Sequence, residues 1–197
     1  LPDYLDMDLL QLDRSLPCTD LIKIRRDLIL LDAARDYRRD RLAAIGVWHS
    51  PADARADAAL DAAFLEFAGE EGKPFELTVL GRRLRLPLAA NGVARADFEA
   101  LCGAALGPAD YLALATHIHT LLIDAIPRLG PENFDRARRF ITLVDALYEH
   151  RVKLIASAAD IPDRLYQQGE TAAMFRRTAS RLMEMQSETY LGLPHLT

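Results

Sequence analysis

Between Thr116 and Ser157 the chain reads as strand, long helix, strand, and no other feature restricts its fold as much. Apolar and β-branched residues fill the second half of Thr116–Ile126, and Pro127 ends the run; that pattern predicts a buried strand. Asn133–His150 follows, with Phe134, Ala137, Ile141, Val144 and Tyr148 at helical spacing, which predicts a long helix with one apolar face. Val152–Ala156 is a second short apolar run. A helix joining two strands is the crossover of a parallel sheet, so this order predicts an α/β fold. The chain has 197 residues, 50% of them hydrophobic, enough for one packed domain spanning 1–197.

The flanking segments are read in the same way. Residues 2–23 predict a loop and then a helix, with Pro17 at a turn or in a first helical turn. Asp27–Asp32 is a short apolar run between acids and predicts a strand. Residues 52–68 predict a helix ending near Gly69. Phe75–Leu80 and Leu84–Leu88 flank Gly81 and predict a β-hairpin within about 70–92, followed by a turn at Asn91-Gly92. Arg95–Leu101 is read as helical, and Gly107-Pro108 opens another helix through Tyr111. Residues 171–191 hold a closing helix, ended by Gly192-Leu193-Pro194.

Several chemistries are disfavoured. No run of about eighteen apolar residues occurs, the length that a membrane-crossing helix needs; at most a peripheral membrane association is expected. Two cysteines, Cys18 and Cys102, give neither a disulfide framework nor metal spacing, so a reducing compartment is expected. The net charge of −5 argues against a nucleic-acid partner. Only Lys23, Lys73 and Lys153 among the 24 basic residues are Lys, a bias that reads as genome composition. His117 and His119 are two apart, which on a strand would share a face, but no third ligand is evident and no metal is expected. Gly69-Glu70-Glu71-Gly72-Lys73-Pro74 imitates a phosphate loop, yet its spacing is short and Pro74 replaces the hydroxyl, so it is read as a turn. Leu28–Asp32 and Leu121–Asp124 end on Asp without a neighbouring acid, and are read as capped strand ends.

The arginines on two helices are the candidate site residues. Arg138, Thr142 and Asp145 share one rim of the 133–150 helix, and Arg139 points elsewhere. On the closing helix Arg177, Arg181, Glu184 and Glu188 line a face opposite Phe175, Ala179, Leu182 and Tyr190. Such residues fit either a solvated, ion-paired face or guanidinium contacts to a phosphate or to a neighbouring subunit.

Three blocks together carry a resemblance. Arg138–Ala158 reads RRFITLVDALYEHRVKLIASA; Phe98-Glu99-Ala100-Leu101-Cys102-Gly103 is followed by Asp110-Tyr111; and Arg177–Ser187 reads RTASRLMEMQS, with Tyr190-Leu191 beyond it. These blocks, with the shorter Asp36-Tyr37-Arg38, resemble the C-terminal half of the ZapE-type (AFG-like) P-loop ATPases, which include bacterial cell-division ATPases and mitochondrial relatives. Pro2–Lys23 is similar to the family segment after its sensor Asn, but Leu9, Leu12 and Ser15 stand where Gly, Arg and Phe are usual.

The resemblance implies a remnant of a P-loop (AAA+-like) parallel sheet with a small β-hairpin insertion and a C-terminal helix. It implies ATP and magnesium as cofactors, FtsZ-ring remodelling or protein quality control as the setting, an FtsZ-like protein partner, a possible homo-oligomer, and a bacterial cytoplasm ahead of a mitochondrion. It makes Arg177 and Arg181 candidate phosphate or subunit contacts, and Arg138 and Asp145 candidate cofactor contacts. The family's phosphate loop and magnesium-binding Asp-Glu strand do not occur in these 197 residues, so this chain alone is not expected to bind ATP tightly or to hydrolyse it. The first residue is Leu1, and the expectation is either a truncated piece of a longer ATPase or a stand-alone, non-catalytic interaction module.

Overall fold

A computed structural model describes residues 46–169 and 172–197, all within the compact unit Leu42–Thr197. The expectations for residues 2–23, for Asp27–Asp32 and for Asp36–Arg38 lie outside the described residues.

Six strands form one mixed sheet: β1 (Trp48–His49), β2 (Lys73–Val79), β3 (Arg82–Ala90), β4 (Val93–Asp97), β5 (Thr120–Ile126) and β6 (Lys153–Ala158), in the order β1-β6-β5-β4-β3-β2. The first four in that order are mutually parallel, while β3 runs antiparallel to both β4 and β2. The expected crossover is present. β5 and β6 pair in parallel with Thr120 opposite Lys153, joined by helix α3 (Phe134–Glu149).

Helix α1 (Ala54–Ala68) starts where the Asp53 carboxylate accepts the amides of Arg55 and Ala56, each at 3.0 Å, and stops at Gly69 with φ +71°. An Asp cap and a left-handed Gly are the usual boundary signals of a helix. The phosphate-loop look-alike is thus a helix cap followed by the first residues of β2. Leu60, Ala63 and Phe64 of α1 cover Val93, Leu122 and Ile155 on one face of the sheet. The opposite face carries α2 (Pro108–His117), α3 and α4 (Ala172–Glu184). There Phe140 lies 5.7 Å from the Phe98 ring and 6.3 Å from that of Phe175.

Four expectations are corrected. Arg95–Leu101 is helical only in its second half: Arg95–Asp97 continue β4, between β3 and β5, and a single π turn spans Glu99–Gly103. Ala94 and Ala96 pack into one face and Val93 into the other, so sheet burial outweighs their helix propensity. His117 ends α2 and His119 precedes β5, so the two do not share a strand face. The buried stripe of α3 is Ala137, Phe140, Leu143, Val144 and Leu147; Phe134, Ile141 and Tyr148 sit at its margins. The closing helix is two, since α4 ends at Glu184 and α5 (Glu188–Leu191) restarts at Ser187, whose hydroxyl caps the Tyr190 amide.

The hairpin is also more than an insertion. Leu80-Gly81 (φ +48°, +78°) and Asn91-Gly92 (φ +48°, +76°) are both two-residue turns of the type I′ class, so β2, β3 and β4 form a meander that runs into the parallel strands. At the second turn a β-carbon on Gly92 would come within 2.7 Å of the His119 ring, which leaves room only for glycine.

Candidate functional site

The sequence names four residues, and the structure brings two of them together. Asp145 of α3 and Arg181 of α4 form an ion pair, and Glu149 lies 3.8 Å from the same guanidinium. The i, i+4 spacing of Asp145 and Glu149 puts both carboxylates on the side of α3 that meets α4. The Arg181 side chain is only 12% exposed, and its Cζ stands 4.7 Å above the Tyr148 ring. Tyr148 in turn donates its phenol proton to Glu184 at 2.8 Å, which raises its pKa. Glu184 is therefore the acceptor for Tyr148, and Asp145 with Glu149 are the partners of Arg181.

Arg138 and Arg177 do not join this cluster. Arg138 is exposed and covers the Phe134 ring at 5.6 Å. Arg177 is exposed on α4, with no ion pair or hydrogen bond to its side chain among the described residues. Arg139 points away from both, donating to the Cys102 carbonyl at 3.0 Å.

From Tyr148 the contacts continue inward. Its ring stacks on Tyr190 at 5.6 Å, and the Lys153 ammonium lies 4.8 Å from the far member of that pair. Lys153 is 6% exposed and donates to the carbonyls of Tyr190 and Leu193, both at 2.8 Å. The Tyr190 hydroxyl sits 3.3–3.4 Å from the carbonyls of Leu147, Tyr148 and Val152, and burial pushes its pKa up. Arg181, Tyr148, Tyr190 and Lys153 thus tie α4, α3, α5 and β6 into one column.

Sequence reasoning missed Lys153, although a lone Lys inside an apolar run was a usable signal. It also missed Arg95, which bridges α1, β4 and β5. Its guanidinium donates to both oxygens of Asp124 at 2.8 and 2.9 Å and also contacts Asp61. Those bonds, Asp124 first, raise its pKa against the opposing effect of burial. The Asp124 strand end is accordingly paired with Arg95.

The F-x-x-L-C…D-Y block has an architectural role as well. Tyr111 donates to the Leu101 carbonyl at 2.8 Å, and buried Asp110 accepts the Gly107 amide and Arg82, at 2.8 and 2.9 Å. Burial pushes the Cys102 thiol up, which disfavours the thiolate that a nucleophile needs. In the closing block Leu182 and Met185 are buried, while Ser180 donates back to the Arg176 carbonyl at 3.0 Å. Among the described residues no three His, Cys, Asp or Glu side chains gather as a metal site, and no helix is long and apolar enough to cross a membrane.

The AFG1-like ATPase family model matches residues 1–194. The cell division protein ZapE of Escherichia coli K12 is 37% identical over 199 residues, covering 99% of this chain and 52% of that protein. An uncharacterized protein of Schizosaccharomyces pombe is 38% identical over 152 residues, covering 76% of this chain and 34% of its own length. Lactation elevated protein 1 homolog B of Danio rerio is 28% identical over 225 residues, covering 96% and 45%. The chain thus spans about half the length, or less, of these relatives. No solved structure matches it. A family match over nearly the whole chain, together with the ZapE identity, places this chain in the AFG1-like ATPase family.

Proposed function

We propose that this chain is the C-terminal, scaffold-forming region of a ZapE-like ATPase that acts in bacterial cell division. In this reading ATP and magnesium are handled by the family's phosphate loop and Asp-Glu strand, which do not occur in these 197 residues. The chain contributes a rigid α/β block and a protein-contact surface, with an FtsZ-like division protein as the partner and the cytoplasm as the setting. The observation that carries this reading is the family match over residues 1–194, joined to the way the matching blocks are used. Arg181, Asp145, Tyr148, Tyr190, Asp110 and Tyr111 hold one another or the backbone, as scaffold residues would. Of the two arginines Arg177 and Arg181 in the closing block, Arg177 is the one left facing outward, and it is the residue assigned to a partner or a subunit.

Phosphoryl transfer depends on positioning and on charge stabilisation at the transferred group. Without an amide cradle, its Lys and the magnesium carboxylates, the purified chain is expected to release no phosphate from magnesium-ATP above the buffer rate. A phosphate-release assay on material purified in parallel with Arg181→Ala tests this. Turnover that follows the protein peak and changes in the variant would overturn the non-catalytic reading. Co-sedimentation with FtsZ-like polymers tests the partner: loss of binding in Arg177→Ala supports it, and no binding by the unaltered chain refutes it.

A further inference from the structure

We propose that the cavity at the start of α4 binds a small zwitterion of the α-amino acid type, its anionic group toward Arg176 and its ammonium toward Asp163. This inference does not depend on the functional reading above. The cavity measures about 600 Å³, and its lining includes Asp163, Tyr166, Gln167, Gly169, Ala172 and Arg176. That volume falls within the range of small-molecule sites. Asp163 stands on the short helical turn Pro162–Arg164 that follows β6, and Arg176 lies one turn into α4.

Tyr166 distinguishes this cavity from a surface hollow. The residue is only 5% exposed, because its ring stacks on Phe175 at 5.6 Å and its backbone bridges to Leu129. Its hydroxyl nevertheless has no hydrogen-bond partner among the described residues. The hydroxyl lies beside Gly169, where a β-carbon would come 3.3 Å from it and 3.0 Å from Pro131. Gly169 has φ +106°, a conformation that suits glycine. The missing side chain therefore keeps the polar end of the phenol open to the cavity. A largely buried tyrosine usually finds a partner for its hydroxyl, and here the ligand supplies it.

The charges select the kind of ligand. Asp163, Gln167 and Arg176 likewise have no ion pair or side-chain hydrogen bond among the described residues, unlike Arg95 and Arg181. A plain anion would be drawn to Arg176 and to the positive end of the α4 dipole, but it would also meet the Asp163 carboxylate. A plain cation meets the reverse. A molecule with both charges a few bonds apart satisfies the two side chains together, and the guanidinium fork suits a carboxylate. The recessed hydroxyl favours such a small ligand over the flat face of a folded partner.

Titration calorimetry on the full chain tests this, with each common α-amino acid as probe and acetate, inorganic phosphate and ethylamine as single-charge controls. At least one amino acid should bind saturably and raise the melting temperature, and no control should match it. Arg176→Ala and Asp163→Asn should each weaken that amino acid roughly tenfold or more, as loss of a hydrogen bond to a charged group does. Tyr166→Phe keeps the ring stack and should weaken it roughly threefold or more. Arg85→Ala, on β3, should bind as the parent does, and all four variants should melt as the unliganded parent does. Binding by no amino acid overturns the proposal. So does a single-charge control that binds as tightly as the best amino acid, or an affinity left unchanged by Arg176→Ala, Asp163→Asn or Tyr166→Phe.

Discussion

Lys153→Ala is expected to lower unfolding free energy by roughly 3–5 kcal/mol, because each of two hydrogen bonds from a charged donor is worth about 1.5–3 kcal/mol. The ammonium is buried and reaches the Tyr190 and Leu193 carbonyls at 2.8 Å, so truncation leaves both acceptors facing a void where the side chain was. It also removes a cation from the face of the Tyr190 ring. A domain of this size has only about 5–15 kcal/mol in total, so the variant should unfold at much lower urea. The segment after α5 should loosen first. Urea denaturation followed by circular dichroism gives the number, and a loss below about 1 kcal/mol would mean that water replaces the ammonium without cost.

A second large effect is expected at Arg181, and it separates two arginines of one motif. Arg181→Ala removes a nearly buried guanidinium and strands Asp145 and Glu149, whose side chains are 37% and 65% exposed. Stranding a buried charge costs about 3–5 kcal/mol, but partly solvated carboxylates recover some hydration, so roughly 2–4 kcal/mol is expected. Arg176→Ala and Arg177→Ala, both on the exposed side of α4, should change stability by no more than about 0.5 kcal/mol. Thermal melts of the three variants, paired with a partner-binding assay, distinguish the roles. Equal and negligible effects at all three positions would defeat both the structural role of Arg181 and the contact role of Arg177.

What the sequence made legible follows the strength of its local signals. The β5–α3–β6 crossover was readable because Thr120–Ile126 and Lys153–Ala158 are short apolar runs on either side of a strongly periodic helix. The boundaries of α1 were readable from the Gly69 breaker and the Ala, Leu and Phe spacing before it. Arg95–Asp97 was misread because Ala and Arg favour helix, and only pairing on both sides, which is non-local, makes them strand. The ion pairs were hidden for the same reason. Spacing put Arg181 and Glu184 on one face of a helix, but which carboxylate Arg181 meets depends on how α4 lies against α3, and that is set by Phe140 and Phe175 deep in the core. Lys153 stood out only as a lone Lys in an apolar run; what it holds was hidden, because its partners are backbone carbonyls some forty residues further on.

The apolar layer that α1 closes over its face of the sheet, with Leu191 of α5 at its edge, has a consequence for how sequences of this kind can drift. Leu60, Phe64, Val93, Leu122 and Ile155 close one apolar layer, and the residues around Phe140 and Tyr111 close another. The strand backbones stand between them as a partition. Substitutions in separate packing neighbourhoods add nearly independently, whereas those that share a cavity do not. A lineage can therefore exchange volume among the residues beneath α1 without compensating changes beneath α3. The two layers age on separate clocks, joined chiefly where a guanidinium such as that of Arg95 ties a helix on one side to the strands themselves.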